Sequence, residues 1–271
     1  MAAENSKPAI VFVPGMASVG TVVYKPLCDT LVDLGFPADQ LHTINHISVV
    51  ENLSNPPQLD GNALQKDTEQ LRGVLENLVE NEHRDVLLVA HSYGATPSLY
   101  AATGLWKHQR ATSGKRGGVI RAALIASSLT LPGGTIGGER AEWLKANSLP
   151  ADEGAKIEMV GNDAYLIPTG FEIIWMNDIT DSAMRTSLRP AALSTVFSPT
   201  PADEPELPKS WRISYLILAE LDLGQPEAFQ RYLIGRAREA GAEVTEQTLR
   251  SGHFAQVSHA REVAQWLLAL V

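Results

Sequence analysis

Apolar residues along the chain fall into two kinds of pattern. The first is a short unbroken run, seen at Ala9-Ile10-Val11-Phe12-Val13, at Val86-Leu87-Leu88-Val89-Ala90 and over residues 119–127 and 214–219. Such runs, rich in branched side chains and bounded by turn residues, predict strands buried on both faces. Pro14-Gly15 stops the first of them. The second pattern is helical spacing. Tyr24, Leu27, Leu31 and Leu34 recur one turn apart, and Gly35 follows as a stop. Leu64, Leu71, Leu75, Leu78 and Val79, with charged residues between them, predict a long amphipathic helix. Further helices are expected over residues 94–105, 227–240 and 258–270, and further strands over 40–47 and 243–249. Strands therefore alternate with helices, which predicts an α/β fold with a doubly wound, mostly parallel sheet.

That rhythm breaks after Leu129. Pro132-Gly133-Gly134 and Gly137-Gly138 open a stretch without a clear strand, which four prolines close over residues 199–208. Its helical patterns are short, at 140–146, 170–178 and 182–188. Residues 131–210 are expected to be an inserted helical cap on a core made by residues 1–130 and 211–271. Residues 52–62 and the basic stretch 107–118 read as surface loops. Gly133 to Gly138 lacks the spacing of a phosphate-binding loop and also reads as loop.

Composition narrows the function. The 271 residues carry 22 Lys and Arg against 31 Asp and Glu, a net charge of −9, which argues against a general nucleic-acid binder. Cys28 is the single cysteine, so an internal disulfide or a cysteine-rich metal site is ruled out. Residues 1–14 lack a basic segment followed by an apolar one, and no apolar run approaches the roughly 20 residues of a membrane helix. The expectation is a cytoplasmic protein with a small-molecule substrate, no metal or cofactor and no membrane partner. Its oligomeric state is open, a homodimer included.

The chemistry centres on Ala90-His91-Ser92-Tyr93-Gly94, between a predicted buried strand and a helix of small residues. A sharp strand-to-helix turn forces the middle serine into a strained backbone and requires small residues two positions to either side, here Ala90 and Gly94. Serine is a poor nucleophile without a base. His253 is the candidate base, in the loop after the last predicted strand, at the same edge of the sheet as Ser92. His91 flanks the serine and should point away. His42 and His46 lie on a predicted strand, His83 and His108 in polar surroundings, and His259 at a helix start. The orienting acid is Asp222 or Glu220, both at the end of the strand that begins at Tyr215. Asp222 lies beyond the strand end and is favoured. The chain order Ser92, Asp222, His253 agrees with the Ser…Asp…His order.

These segments resemble the α/β-hydrolase superfamily, and within it the plant methyl esterase and hydroxynitrile lyase-like group with its fungal and bacterial relatives. The matching pieces are Val11 to Gly15, Ala90 to Gly94, Glu220-Leu221-Asp222 with Pro226 and Phe229-Gln230, and Ser251-Gly252-His253. The resemblance implies an α/β-hydrolase fold and an oxyanion hole from the backbone N–H groups of Met16 and Tyr93. The family's usual His-Gly at the first turn is Pro14-Gly15 here, which keeps that N–H donor. Hydroxynitrile lyases use a lysine after the histidine, where this chain has Phe254. The implied reaction is hydrolysis of a carboxylic ester or lactone through an acyl-enzyme. A lyase, decarboxylase or cyclase using the same residues, or a ligand receptor with residual activity, are the alternatives. Trp143, Phe171, Ile174, Trp175 and Met176 make the insertion apolar and are expected to line the substrate site, against the plain alternative of a small core of their own. Asp178 and Asp181 read as solvated, with the pocket as the alternative place for Asp178.

Overall fold

A computed structural model describes residues 7–54, 56, 59, 62–151, 156–161 and 164–271, without the side chains of residues 171 and 172. The strands are β1 (Ala9–Val13), β2 (Leu41–Thr43), β3 (Asp85–His91), β4 (Gly118–Ile125), β5 (Ile157–Val160), β6 (Tyr165–Pro168), β7 (Ala191–Ala192), β8 (Arg212–Glu220) and β9 (Glu243–Ser251). The principal helices are α1 (Lys25–Asp33), α2 (Ala63–Glu76), α3 (Ala95–Ala101), α4 (Lys107–Thr112), α5 (Ile136–Ala146), α6 (Glu227–Glu239) and α7 (Ala260–Leu268).

Six strands form one parallel sheet in the order β2-β1-β3-β4-β8-β9. The central strands are buried on both faces, as their unbroken apolar runs require. Alternate residues feed two cores. Val11, Val13, Leu88, Leu124 and Ile217 pack with α2, α3 and α6, whereas Ile10, Phe12, Leu87, Ile125 and Leu218 pack with α1 and α7. The chain leaves β1 on one side to form β2 and returns on the other to form β3. Parallel sheets open a crevice at the carboxyl ends of their strands where the order reverses in this way. The turn after β1 and the turn after β3 meet there.

Four local features differ from expectation. The second strand is shorter, Leu41–Thr43, because the chain turns inward afterwards and buries His46. The basic stretch after Trp106 is a helix, α4, rather than a loop. Its Arg110 is buried, donating to the Gly117 and Arg116 carbonyls and to the Glu80 carboxylate. Charge suggested a solvated face, but a satisfied guanidinium can be buried. Between β4 and β8, helices are joined by a three-stranded antiparallel sheet, β5-β6-β7. Strands of two to four residues are too short for alternation to register against background. In the same segment, α5 starts among the glycines, at Ile136, where Thr135 Oγ1 caps it by accepting from Gly138 N–H at 2.9 Å.

Candidate active site

Strand β3 runs extended to His91, and Ser92 then turns into the left-handed region at φ 52°. Such a backbone is strained for any residue with a Cβ and holds only where its surroundings fix it. Here they do. A Cβ on Gly94 would lie 2.4 Å from the Pro14 carbonyl oxygen and 2.8 Å from that of Val13. A Cβ on Gly15 would lie 2.8 Å from His91 Nδ1 and 3.2 Å from Ser92 Cβ. A side chain at either glycine would therefore push the turn after β1 and the turn after β3 apart. Gly94→Ala is expected to lower stability by about 1–3 kcal/mol through this clash, read as the urea midpoint. An unchanged midpoint would contradict the close approach.

At the same edge, β8 delivers Asp222 and β9 delivers His253. His253 Nδ1–H donates to Asp222 Oδ2 at 2.8 Å, and both side chains are buried. A carboxylate can only accept, so this bond fixes the proton on Nδ1 and leaves Nε2 as the basic nitrogen. Asp222 is held in turn. Its Oδ1 accepts from Gln225 N–H at 2.8 Å, and Gln230 Nε2 reaches its Oδ2 at 3.4 Å and the Gln225 carbonyl at 2.6 Å. Glu220, the other candidate acid, is exposed and pairs with Arg250 at 2.6 Å, so it does not face His253.

No hydrogen bond among the described residues joins Ser92 to His253. The serine hydroxyl accepts from Gln225 Nε2 at 3.3 Å, while Gln225 Oε1 is buried and has no hydrogen-bond partner among the described residues. The His91 ring lies 4.6 Å from the His253 ring, and its Nε2–H donates to the His253 carbonyl at 2.8 Å. Burial, and secondarily the neighbouring His253, holds the His91 pKa well below the ordinary histidine value, so His91 is neutral. The Trp175 and His253 rings meet edge to face with their centroids 5.2 Å apart.

Asp178 corrects the expectation of a solvated carboxylate. Its Oδ2 accepts from Gly252 N–H at 2.8 Å, Ser258 Oγ at 2.8 Å and Ser251 Oγ at 3.1 Å. Its neighbour Asn177 donates to the Leu221 carbonyl at 2.8 Å. One dipeptide thus grips the loops that carry His253 and Asp222. Asp181, by contrast, is exposed and caps a short helix. His259 lies beside Ser258, with Nδ1 2.9 Å from its hydroxyl.

A cavity of about 870 Å³ opens above these groups. Gly15, Met16, Ser92, Gln225, His253 and Phe254 form its floor, and apolar residues between β4 and β8 form the facing wall. Of the five residues expected to line it, Trp175 does. Trp143, Ile174 and Met176 do not. Trp143 packs on Phe229 at 5.1 Å, and Ile174 and Met176 join the core on the α1 and α7 side of the sheet. An apolar side chain in an insertion has two apolar destinations, and spacing does not separate them. The side chain of Phe171 lies outside the described residues. Met16 and Tyr93 both border the cavity. No backbone hydrogen bond among the described residues uses the Met16 N–H, and Tyr93 sits in a first helical turn, where N–H groups lack an intrahelical acceptor.

The model of the alpha/beta hydrolase family matches residues 10–266. The chain belongs to that family. No curated protein matches this hydrolase. Solved structures share its fold. Polyneuridine aldehyde esterase is similar at a TM-score of 0.68 and 16% identity, over 98% of this chain and 99% of that one. A pyrethroid hydrolase from Sphingobium faniae is similar at 0.61 and 18%, over 97% and 96%. Tomato methylketone synthase I is similar at 0.62 and 14%, over 97% of each chain. In this hydrolase, no helix of the described residues is long and apolar enough to cross a membrane.

Proposed function

We propose that this hydrolase cleaves a carboxylic ester or lactone of an apolar or aromatic molecule through an acyl-enzyme on Ser92. The observation that carries the reading is the buried 2.8 Å bond from His253 to Asp222, at the sheet edge where Ser92 holds a strained backbone. Ser92 Oγ attacks the carbonyl carbon while His253 Nε2 takes its proton. Asp222 fixes the tautomer and stabilises the imidazolium. Backbone N–H groups of Met16 and Tyr93 receive the oxyanion, each contributing roughly 3 kcal/mol. The imidazolium then protonates the leaving alcohol, and water cleaves the acyl-enzyme with the same base. The serine must first turn from Gln225 to His253, and catalytic hydrogen bonds of this kind commonly tighten when substrate binds.

The cavity volume, about 870 Å³, is at the upper end of small-molecule sites and admits bulky esters. Shared fold with proteins named an esterase and a pyrethroid hydrolase supports the class of bond. The Gln225–Ser92 bond favours one second reading, in which Ser92 only orients substrate and His253 alone performs acid–base chemistry. A panel of p-nitrophenyl esters, methyl esters and lactones separates the two. The expected result is turnover of apolar esters with an initial burst of alcohol equal to the enzyme present. Absence of turnover across the panel by the folded protein would remove the ester and lactone reading.

A further inference from the structure

Asp67 lies on the amphipathic helix α2, and its side chain is completely buried. Its carboxylate collects three donated hydrogen bonds. Ser48 N–H reaches Oδ1 at 3.0 Å, Ser48 Oγ reaches Oδ2 at 2.6 Å, and Tyr93 Oη reaches Oδ2 at 2.8 Å. His46 Nδ1 stands 3.5 Å from the same Oδ2, and His46 Nε2–H donates to the Pro14 carbonyl at 2.9 Å. Ser48, His46 and Tyr93 are all buried, and the His46 and Tyr93 rings meet edge to face at 5.1 Å.

The two ends of this network decide its meaning. Tyr93 supplies one N–H of the proposed oxyanion hole, and Pro14 opens the turn that presents Met16, which supplies the other. Burying a carboxylate is unfavourable, and a well-packed apolar residue usually stabilises a core as well or better. A buried charge that ties together two particular turns is accounted for by what it fixes. Oxyanion stabilisation depends on donors pre-set at their distance from the developing charge, so small displacements of either turn lower the rate.

We propose that Asp67 is a positioning residue that holds the Met16 and Tyr93 turns in register: it fixes the Tyr93 hydroxyl, and the Tyr93 ring packs edge to face on His46, whose Nε2–H holds the Pro14 carbonyl. The proposal rests on the hydrolase reading given above. Tyr93 keeps its donor role at any working pH, since burial, and then the adjacent Asp67, pushes its phenol pKa well above the ordinary value. Asparagine cannot replace Asp67. With its Oδ1 accepting from Ser48 N–H, its N–H₂ faces the Ser48 and Tyr93 hydroxyls, which must turn from donating to accepting and lose the acceptor that fixed their own protons.

The test compares wild type, Asp67→Asn and Tyr93→Phe with three probes: a p-nitrophenyl ester, an alkyl trifluoromethyl ketone and an ether of the same shape as the ester. The ketone forms a tetrahedral oxyanion on the serine and the ether does not. Both variants are expected to lose about tenfold or more in kcat, with KM within about twofold. Ketone affinity should fall in step with kcat, while ether affinity holds. Equal loss of ketone and ether affinity, or an unchanged kcat, would overturn the proposal. Should Asp67→Asn fail to fold, Tyr93→Phe decides by the same criteria. A wild-type protein that neither hydrolyses the ester nor binds the ketone would instead discard the hydrolase reading, which keeps the two failures apart.

Discussion

Ser92→Ala is expected to lower ester turnover by about four to six orders of magnitude while the protein stays folded and still binds substrate. The residue sits at φ 52° between β3 and α3, and the glycines at 15 and 94 that permit that turn are untouched by the change. Alanine has the same Cβ, so backbone strain is retained and only the nucleophile is removed. The residual rate reports what the oxyanion donors and binding do alone. Turnover within tenfold of wild type would mean that Ser92 is not the attacking group, and the second reading would take its place.

Asp222→Asn is expected to lower kcat by about four orders of magnitude at neutral pH. Asp222 accepts the Nδ1 proton of His253 and is itself braced by Gln225 and Gln230. An asparagine at this position can offer Nδ2–H to the ring, which then carries its proton on Nε2. That tautomer cannot take a proton from serine. Glu220→Gln is the control, because Glu220 is exposed and pairs with Arg250. Its kcat should stay within about twofold of wild type. A large loss in Glu220→Gln with little in Asp222→Asn would reverse the assignment of the acid.

The layout of the core was legible in the sequence. Unbroken apolar runs at Ala9–Val13 and Val86–Ala90 find their place inside a covered parallel sheet. The position of Ser92 between a strand and a helix of small residues was legible too, because few residues tolerate that turn. Asp222 and His253 could be located by the strand ends that carry them. What was not legible depends on contacts between distant segments. Asn177 and Asp178 look like ordinary loop polar residues, and only the fold brings them onto Leu221 and Gly252. Asp67 sits among the charged positions of an amphipathic helix, and nothing in its spacing marks it as the one turned inward. Gln225 carries no local signal for its bond to the serine. The wall residues failed for a related reason. Trp143 and Trp175 have the same chemistry, and the tertiary packing alone sends one against Phe229 and the other to the cavity.

The account turns on Ser92 as a nucleophile activated through His253. Incubating the wild-type protein and His253→Ala with an alkyl fluorophosphonate, followed by intact-mass measurement and peptide mapping, tests it most directly. The predicted result is one phosphonyl group per wild-type chain, located on Ser92, with labelling of His253→Ala slowed at least a hundredfold. An unmodified wild-type chain, an adduct on another residue, or equal labelling rates in the two proteins would contradict it.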